Sequence, residues 1–229
     1  MTSSQNVQTF ASLIDHTLLK ADAGERSIIR LCDEARTHGF ATVCVQPSWV
    51  RLCAGLLKDT PVAVCTVIGF PQGCNKTETK IREAELALAD GARELDMVIH
   101  LGRLKDKDMA YVENDIQAVV RVVSQHAAEA LVKVIVESCL LGEDELRAVC
   151  TAAVRAGADF VKTSTGFSTG GATVEAVRIM RATVGSECGV KASGGIRTAQ
   201  DARAMVQAGA NRLGTSSGVE IISSLAHGE

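Results

Sequence analysis

The sequence predicts an α/β protein folded as one (β/α)8, or TIM, barrel over residues 1–229. Two observations point there. Four segments repeat a junction pattern, "HGFATVCV" from 38, "DGARELDMVI" from 90, "AGADFVK" from 156 and "AGANRLGT" from 208. In each, a glycine follows a helix-like stretch and an apolar run begins a few residues later. Glycine just past a helix takes the left-handed conformation that closes the last turn, so each segment reads as a helix-to-strand junction. Gly39 and Gly91 lie 52 residues apart, as do Gly157 and Gly209, which fits two βα units of about 26 residues each. The second observation is that short apolar runs alternate with amphipathic stretches eight times, the pattern of a parallel sheet covered by helices.

Taken in order, the strands read "LIDHT" (13–17), "ATVCVQ" (41–46), "VAVCTVI" (62–68), "ELDMVI" (94–99), "LVKVIVE" (131–137), "DFVKT" (159–163), "CGVKA" (188–192) and "NRLGT" (211–215). The first is ambiguous, because "LIDHTLL" would also serve as a helix. Helices are predicted near 26–38, 48–57, 76–90, 107–127, 144–156, 172–184, 198–208 and 217–225. The stretch "IIRLCDEAR" shows the basis for these assignments, with Ile28, Leu31, Cys32 and Ala35 at helical period. Only three prolines occur and there is no Ser- or Gly-rich linker, so no domain boundary is placed.

Composition excludes several functions. Net charge is −3 and seven residues are aromatic, against the basic face and stacking rings of a nucleic-acid binder. No apolar run approaches a membrane span, and "MTSSQNVQTFASLIDH" lacks the features of a secretory leader. A cytoplasmic protein is expected. The eight cysteines form no Cys-x-x-Cys pair and several sit inside apolar runs, so buried free thiols are expected rather than disulfides. Histidines never fall at metal-ligand spacing, so no metal is expected.

Chemistry is suggested by ionisable residues inside strands. Lys162 stands in line with Phe160 and Val161, and Asp96, Lys133 and Lys191 occupy three other strands, the fourth, fifth and seventh. Each alone reads as a side chain reaching solvent or a salt bridge. On four neighbouring strands of a closed barrel they converge. Desolvation and mutual repulsion among three lysines and one aspartate are expected to push at least one lysine toward neutrality. A neutral amine can attack a carbonyl and form a Schiff base.

The loops after the last two strands suggest an anion. Gly194 and Gly195 follow strand seven, and Ser216 and Ser217 follow strand eight. Barrels often hold phosphate there, on backbone N–H groups and a helix N-terminus. Plain capping is the competing reading, since Ser217 and Glu220 have capping-box spacing. The loop "IGFPQGCNKTETK" (68–80) is expected to order itself over the barrel mouth, with Asn75 capping the next helix.

These segments resemble a known family. "IDHTLLK", "VCVQP", "VIGFPQG", "ELDMVI", "KVIVES", "FVKTSTGF", "VKASGGIR" and "LGTSS" are similar to the signature segments of deoxyribose-phosphate aldolases and run in order from residue 14 to 217. The resemblance implies a class I, metal-independent and cofactor-free aldolase on a (β/α)8 barrel. Its substrates would be 2-deoxy-D-ribose 5-phosphate in one direction, acetaldehyde and D-glyceraldehyde 3-phosphate in the other. It implies Lys162 as the Schiff-base lysine, Lys191 as a second lysine that keeps it neutral, and Asp96 as the carboxylate of a proton relay. It further implies Gly166, Gly194, Gly195, Ser216 and Ser217 as phosphate-binding positions, Asp15 and Thr17 as pocket residues, an electrostatic part for Lys133, and a homodimer. Two departures are evident: Phe167 stands where some relatives carry a lysine, and the chain ends in "LAHGE" rather than in a tyrosine. A phosphosugar isomerase or decarboxylase would share the phosphate loops without needing the lysine pair, and a phosphosugar-binding module would tolerate loss of any lysine.

Overall fold

The computed structural model describes residues 3–227, with side chains from residue 7. Met1, Thr2, Gly228 and Glu229 lie outside it, and with them the expected domain limits and the chain end without tyrosine. Eight parallel strands close into a barrel in chain order, β8 pairing with β1. They are β1 (Ile14–Leu18), β2 (Thr42–Val45), β3 (Ala63–Ile68), β4 (Glu94–Val98), β5 (Leu131–Ile135), β6 (Phe160–Lys162), β7 (Gly189–Ser193) and β8 (Arg212–Thr215). Around them run α1 (Ser3–Ala11), α2 (Glu25–His38), α3 (Val50–Leu56), α4 (Thr77–Ala89), α5 (Leu101–Lys105), α6 (Met109–His126), α7 (Glu143–Arg155), α8 (Val174–Val184), α9 (Ala199–Gln207) and α10 (Gly218–His227). None of these helices is long and apolar enough to cross a membrane.

The junction glycines close their helices as expected. Gly39, Gly91, Gly157 and Gly209 all take positive φ, and the Gly39 N–H donates to Ala35 O at the end of α2. Strand alternation then divides the core in two. Residues such as Val43, Val64, Leu95, Val134, Val161, Val190 and Leu213 join Ile28, Ile116, Val149 and Ile221 of the helices in one apolar layer. The intervening residues point into the barrel. On the β2–β3 side these form a small apolar cluster of Leu19, Cys44, Cys65 and Val67, against which Phe70 packs. On the side of β4 to β8 they are charged.

Some elements were not predicted. Helix α1, which packs on α10, was left unassigned at the sequence level. The stretch 48–57 divides into a 3-10 turn, Pro47–Trp49, and α3. The ambiguous "LIDHTLL" is a strand, paired on both sides. Asn75 does not cap α4: the helix starts at Thr77, Lys76 occupies the cap position without a side-chain bond, and Asn75 is exposed. A buried ion pair holds this end instead. Lys80 Nζ donates to Asp115 Oδ2 at 2.5 Å and to Val98 O at 2.9 Å, while Thr77 Oγ1 donates to Asp115 Oδ1 at 2.7 Å. This ties α4 to α6 below the 69–76 loop.

Candidate active site

Strand register brings the ionisable residues together. Asp96 lies opposite Lys133, Lys162 opposite Lys191, and Lys191 opposite Arg212. Asp96 Oδ2 accepts from both Lys162 Nζ (2.8 Å) and Lys191 Nζ (2.7 Å), and its Oδ1 accepts from Lys133 Nζ (2.8 Å). Two carboxylates outside the expected set complete the network. Asp15 contacts Lys191 and Lys133, and Glu94 contacts Lys133 at 2.6 Å. Arg212 bridges Asp15 (2.7 Å) and Glu94 (2.9 Å). Gly214 makes room for this packing, since a Cβ there would stand 3.0 Å from Lys191 Cε.

The electrostatics differ from the expectation of repelling lysines. Burial by itself would lift the Asp96 carboxyl, but Lys133, Lys162 and Lys191 hold it well below the usual carboxylate range. Asp15 is likewise depressed, burial being outweighed by Lys191, Lys133 and Arg212. Burial would lower Lys191, yet Asp15 and Asp96 keep it above its ordinary value. Lys133 is raised in the same way, by Asp96, Cys65 and Glu94 against its burial. The expectation failed because it counted one carboxylate where three are present.

The network still has one cation too many: Lys133, Lys162, Lys191 and Arg212 face Asp15, Glu94 and Asp96. Lys133 touches three carboxylates, Lys191 and Arg212 two each, and Lys162 only Asp96. A guanidinium does not discharge. Lys162 is therefore the member whose proton is least costly to remove, and a neutral amine there leaves the charges balanced.

Lys162 is also the member of the network that opens into a cleft of about 230 Å³ at the C-terminal ends of the strands. Its walls include Thr17, Leu19, Lys20, Thr165, Gly166, Phe167, Ser193, Gly194, Gly195, Arg197, Thr215 and Ser216. Gly194 and Gly195 have φ of 83° and 82°, a left-handed backbone that side chains rarely adopt. A Cβ on Gly194 would also stand 3.0 Å from Gly171 Cα. Phe167, 55% exposed, meets Phe70 edge-on with ring centroids 5.4 Å apart.

Of the residues singled out from sequence, Lys162, Gly166, Gly194, Gly195, Ser216 and Thr17 line this cleft. Asp96, Lys191, Lys133 and Asp15 are fully buried in the network with Lys162. Asp15 thus belongs to that network rather than to the cleft wall. Ser217 is not among the lining residues, and its N–H donates to Thr215 Oγ1 at 2.9 Å. Lys20 and Arg197 were missed, although both stand inside motifs quoted above. A cation directly after a Gly-Gly turn was the available signal.

Two donor sets have ligand atoms within 4.8 Å of one another, Cys44–Cys65–Asp96 and Asp15–Cys65–Glu94. Their carboxylates are engaged by Lys133, Lys191 and Arg212. A divalent cation would have to displace an ammonium or guanidinium, so neither set fits one.

The buried groups also set a pH dependence of stability. His16 is lowered by burial despite its bond to Glu34, so its contribution is full above about pH 6.5 and is lost as pH falls. Asp15 and Asp96 act in the same direction, with their contribution full above about pH 4 and lost below it. Cys150 and Cys188, pushed up by burial to about 12 and about 11, act oppositely. Stability falls above about pH 8.5 as their unfolded thiols ionise. Lys133 and Lys191, both raised, add to that loss only above about pH 10.4. Resistance to urea is therefore expected to peak near pH 7–8 and to drop steeply below about pH 4. Urea midpoints measured across this range check it, and a midpoint unchanged between roughly pH 5 and 3 contradicts the depressed carboxylates.

Comparison with known proteins adds to this geometry. The model of the DeoC/LacD family of aldolases matches residues 9–224. A deoxyribose-phosphate aldolase of Geobacillus sp. (strain WCH70) is 60% identical over 212 residues, 93% of this chain and 94% of the relative. One from Bacillus subtilis (strain 168) is 56% identical over 214 residues, 93% and 95% of the two chains. Among solved structures, a putative deoxyribose-phosphate aldolase from Coccidioides immitis superposes with a TM-score of 0.91 at 46% identity, covering 95% of this chain and 86% of that one. The enzyme from Aeropyrum pernix, described as tetrameric, gives 0.89 at 38% identity, covering 95% and 91%.

Proposed function

The chain belongs to the DeoC/LacD family of aldolases and has deoxyribose-phosphate aldolase activity, and on that premise we propose how its cleft performs the reaction. The enzyme is an aldehyde-lyase that reversibly cleaves 2-deoxy-D-ribose 5-phosphate to acetaldehyde and D-glyceraldehyde 3-phosphate. The observation that carries the mechanism is the surplus cation at the cleft floor, Lys162, held by a single carboxylate oxygen 2.8 Å away.

As a neutral amine, Lys162 Nζ attacks C1 of the open-chain sugar, and loss of water gives an iminium. The new positive charge forms beside Asp96, which acts as its counter-ion. The C3 hydroxyl then loses its proton, the C2–C3 bond breaks, and its electron pair flows into the iminium. Glyceraldehyde 3-phosphate departs and an enamine remains on Lys162. Protonation at C2 and hydrolysis release acetaldehyde and regenerate the amine. A carboxylate as depressed as Asp96 is a weak base, so its part in the relay is to hold Lys162 and Lys191 in place, while Lys191 and water carry the protons. Borohydride reduction in the presence of acetaldehyde tests this covalent step.

The phosphate lies at the other end of the cleft, against Gly166, Gly194, Gly195 and Ser216, with Lys20 and Arg197 at the rim. Exposed Ser216 immediately precedes Ser217 and α10, whose N-terminal dipole favours an anion. Because the phosphate does not react, its contacts act through binding of the remote end of the sugar. Ser216→Asp sets a carboxylate against it and is expected to raise KM for deoxyribose 5-phosphate about tenfold or more. Activity on unphosphorylated 2-deoxyribose should fall far less. Steady-state kinetics with both sugars decide it, and equal losses would place the phosphate elsewhere.

A cytoplasmic setting, in which the eight free thiols stay reduced, belongs to this proposal. So does a homodimer, which the molar mass in solution decides.

A further inference from the structure

The motif "KVIVES" has so far received no role beyond Lys133, yet its glutamate is unusual in backbone and environment. Glu137 follows β5 with φ 53° and ψ 60°, and it is 2% exposed. A residue other than glycine in this left-handed region is uncommon, and the conformation persists only where its surroundings hold it. Its neighbours do so: Val136 N–H donates to Lys162 O at 3.0 Å, and Ser138 N–H to Thr163 O at 2.8 Å. Glycine would adopt this backbone more readily, so the backbone alone does not explain a glutamate.

The side chain does. Thr165 Oγ1 donates to Glu137 Oε2 at 2.5 Å, and Thr165 N–H reaches both carboxylate oxygens at 3.3 Å. Thr165 Oγ1 in turn accepts the Phe167 N–H at 3.1 Å. A chain of hydrogen bonds thus runs from Glu137 through Thr165 to Phe167 and brackets Gly166, all three residues being walls of the cleft. Asp15, Glu94 and Asp96 are paired with cations, but among the described residues no ion pair involves Glu137. Its hydrogen-bonding capacity goes to the turn beyond Lys162. Glu137 itself is not on the cleft wall.

We propose that Glu137 is a positioning residue for the phosphate end of the cleft. Its carboxylate fixes the Thr165–Phe167 turn so that Gly166 is presented to the substrate phosphate, and it acts on binding rather than on imine formation. This rests on the placement of the phosphate given above.

In Glu137→Gln one carboxylate oxygen becomes an amide that cannot accept from Thr165. KM for deoxyribose 5-phosphate is expected to rise roughly tenfold, as for loss of one charge-assisted hydrogen bond. The loss on unphosphorylated 2-deoxyribose should be several-fold smaller, and the pH profile of borohydride trapping with acetaldehyde should stay that of the wild type. Thr165→Val cuts the same link from the other side and carries the test if Glu137→Gln fails to fold. The double variant should be no worse than the worse single one. Glu137→Gly keeps the backbone but not the carboxylate, and should raise KM as Glu137→Gln does.

A wild-type KM in Glu137→Gly, equal losses on the two sugars, or a displaced trapping profile would each overturn the proposal. If Ser216→Asp discriminates between the sugars and Glu137→Gln does not, only the role of Glu137 fails. If Ser216→Asp does not discriminate, the phosphate placement itself fails.

Discussion

Lys162→Ala is expected to lower aldol cleavage on the order of 10⁴-fold or more and to abolish borohydride trapping, while circular dichroism and the urea midpoint stay close to wild type. The fold should survive because this substitution removes the surplus cation: Lys133, Lys191 and Arg212 then balance Asp15, Glu94 and Asp96. The side chain also borders the cleft, so its loss leaves space open to solvent and not a sealed cavity. Mass spectrometry of the reduced wild-type adduct should place the two added carbons on Lys162. An adduct on Lys191 or Lys133 would overturn the assignment. Trapping that persists in the alanine variant would do the same.

Lys191→Met carries the second large effect. With Lys191 gone, three cations face three carboxylates only if Lys162 keeps its proton, and Asp96 Oδ2 is left to hold it alone. Activity near pH 7 should fall about 10²- to 10⁴-fold and recover in part as the pH is raised. Asp96→Asn errs in the opposite sense, leaving four cations against two carboxylates. Lys162 discharges readily there and trapping should continue, but the iminium lacks its counter-ion and turnover should drop. That variant also leaves buried ammonium groups without their shared partner, at a cost of about 3–5 kcal/mol in stability. Profiles of kcat/KM against pH for both variants separate the two roles. An unchanged profile in Lys191→Met would remove the electrostatic account.

The fold was legible because barrel strands and their junctions are written in local signals. Gly39, Gly91, Gly157 and Gly209 mark four helix ends, and the apolar runs beside them became strands within one or two residues of their expected limits. Helix α1 escaped because its apolar face, Val7, Phe10 and Ala11, is too short to show a period and is covered by α10. The site was partly legible for a related reason. A lysine in an apolar strand stands out, whereas Asp15 and Glu94 lie at strand beginnings, where a carboxylate also fits a solvent-facing edge. Only closure of the barrel, which sets Asp15 opposite Gly214 and Glu94 opposite Cys65, shows that both point inward. Lys20 and Glu137 depend on loop conformation, which periodicity does not encode.

The buried charge network has a consequence for how the chain reaches its native state. Its members come from β1, β4, β5, β6, β7 and β8, and the contact between Asp15 and Arg212 spans 197 positions in the chain. A partial barrel of the first four strands would hold Asp15, Glu94 and Asp96 with none of their cations, and a half made of the last four would hold three lysines and Arg212 with no carboxylate. Neither half can bury those groups without large desolvation costs. Closure is thus coupled to charge neutralisation. During synthesis Asp15 emerges early but lacks Lys133, Lys191 and Arg212 until the later strands have been made. The same groups that ready Lys162 for attack therefore favour all-or-none assembly, with β8 as the strand that completes it.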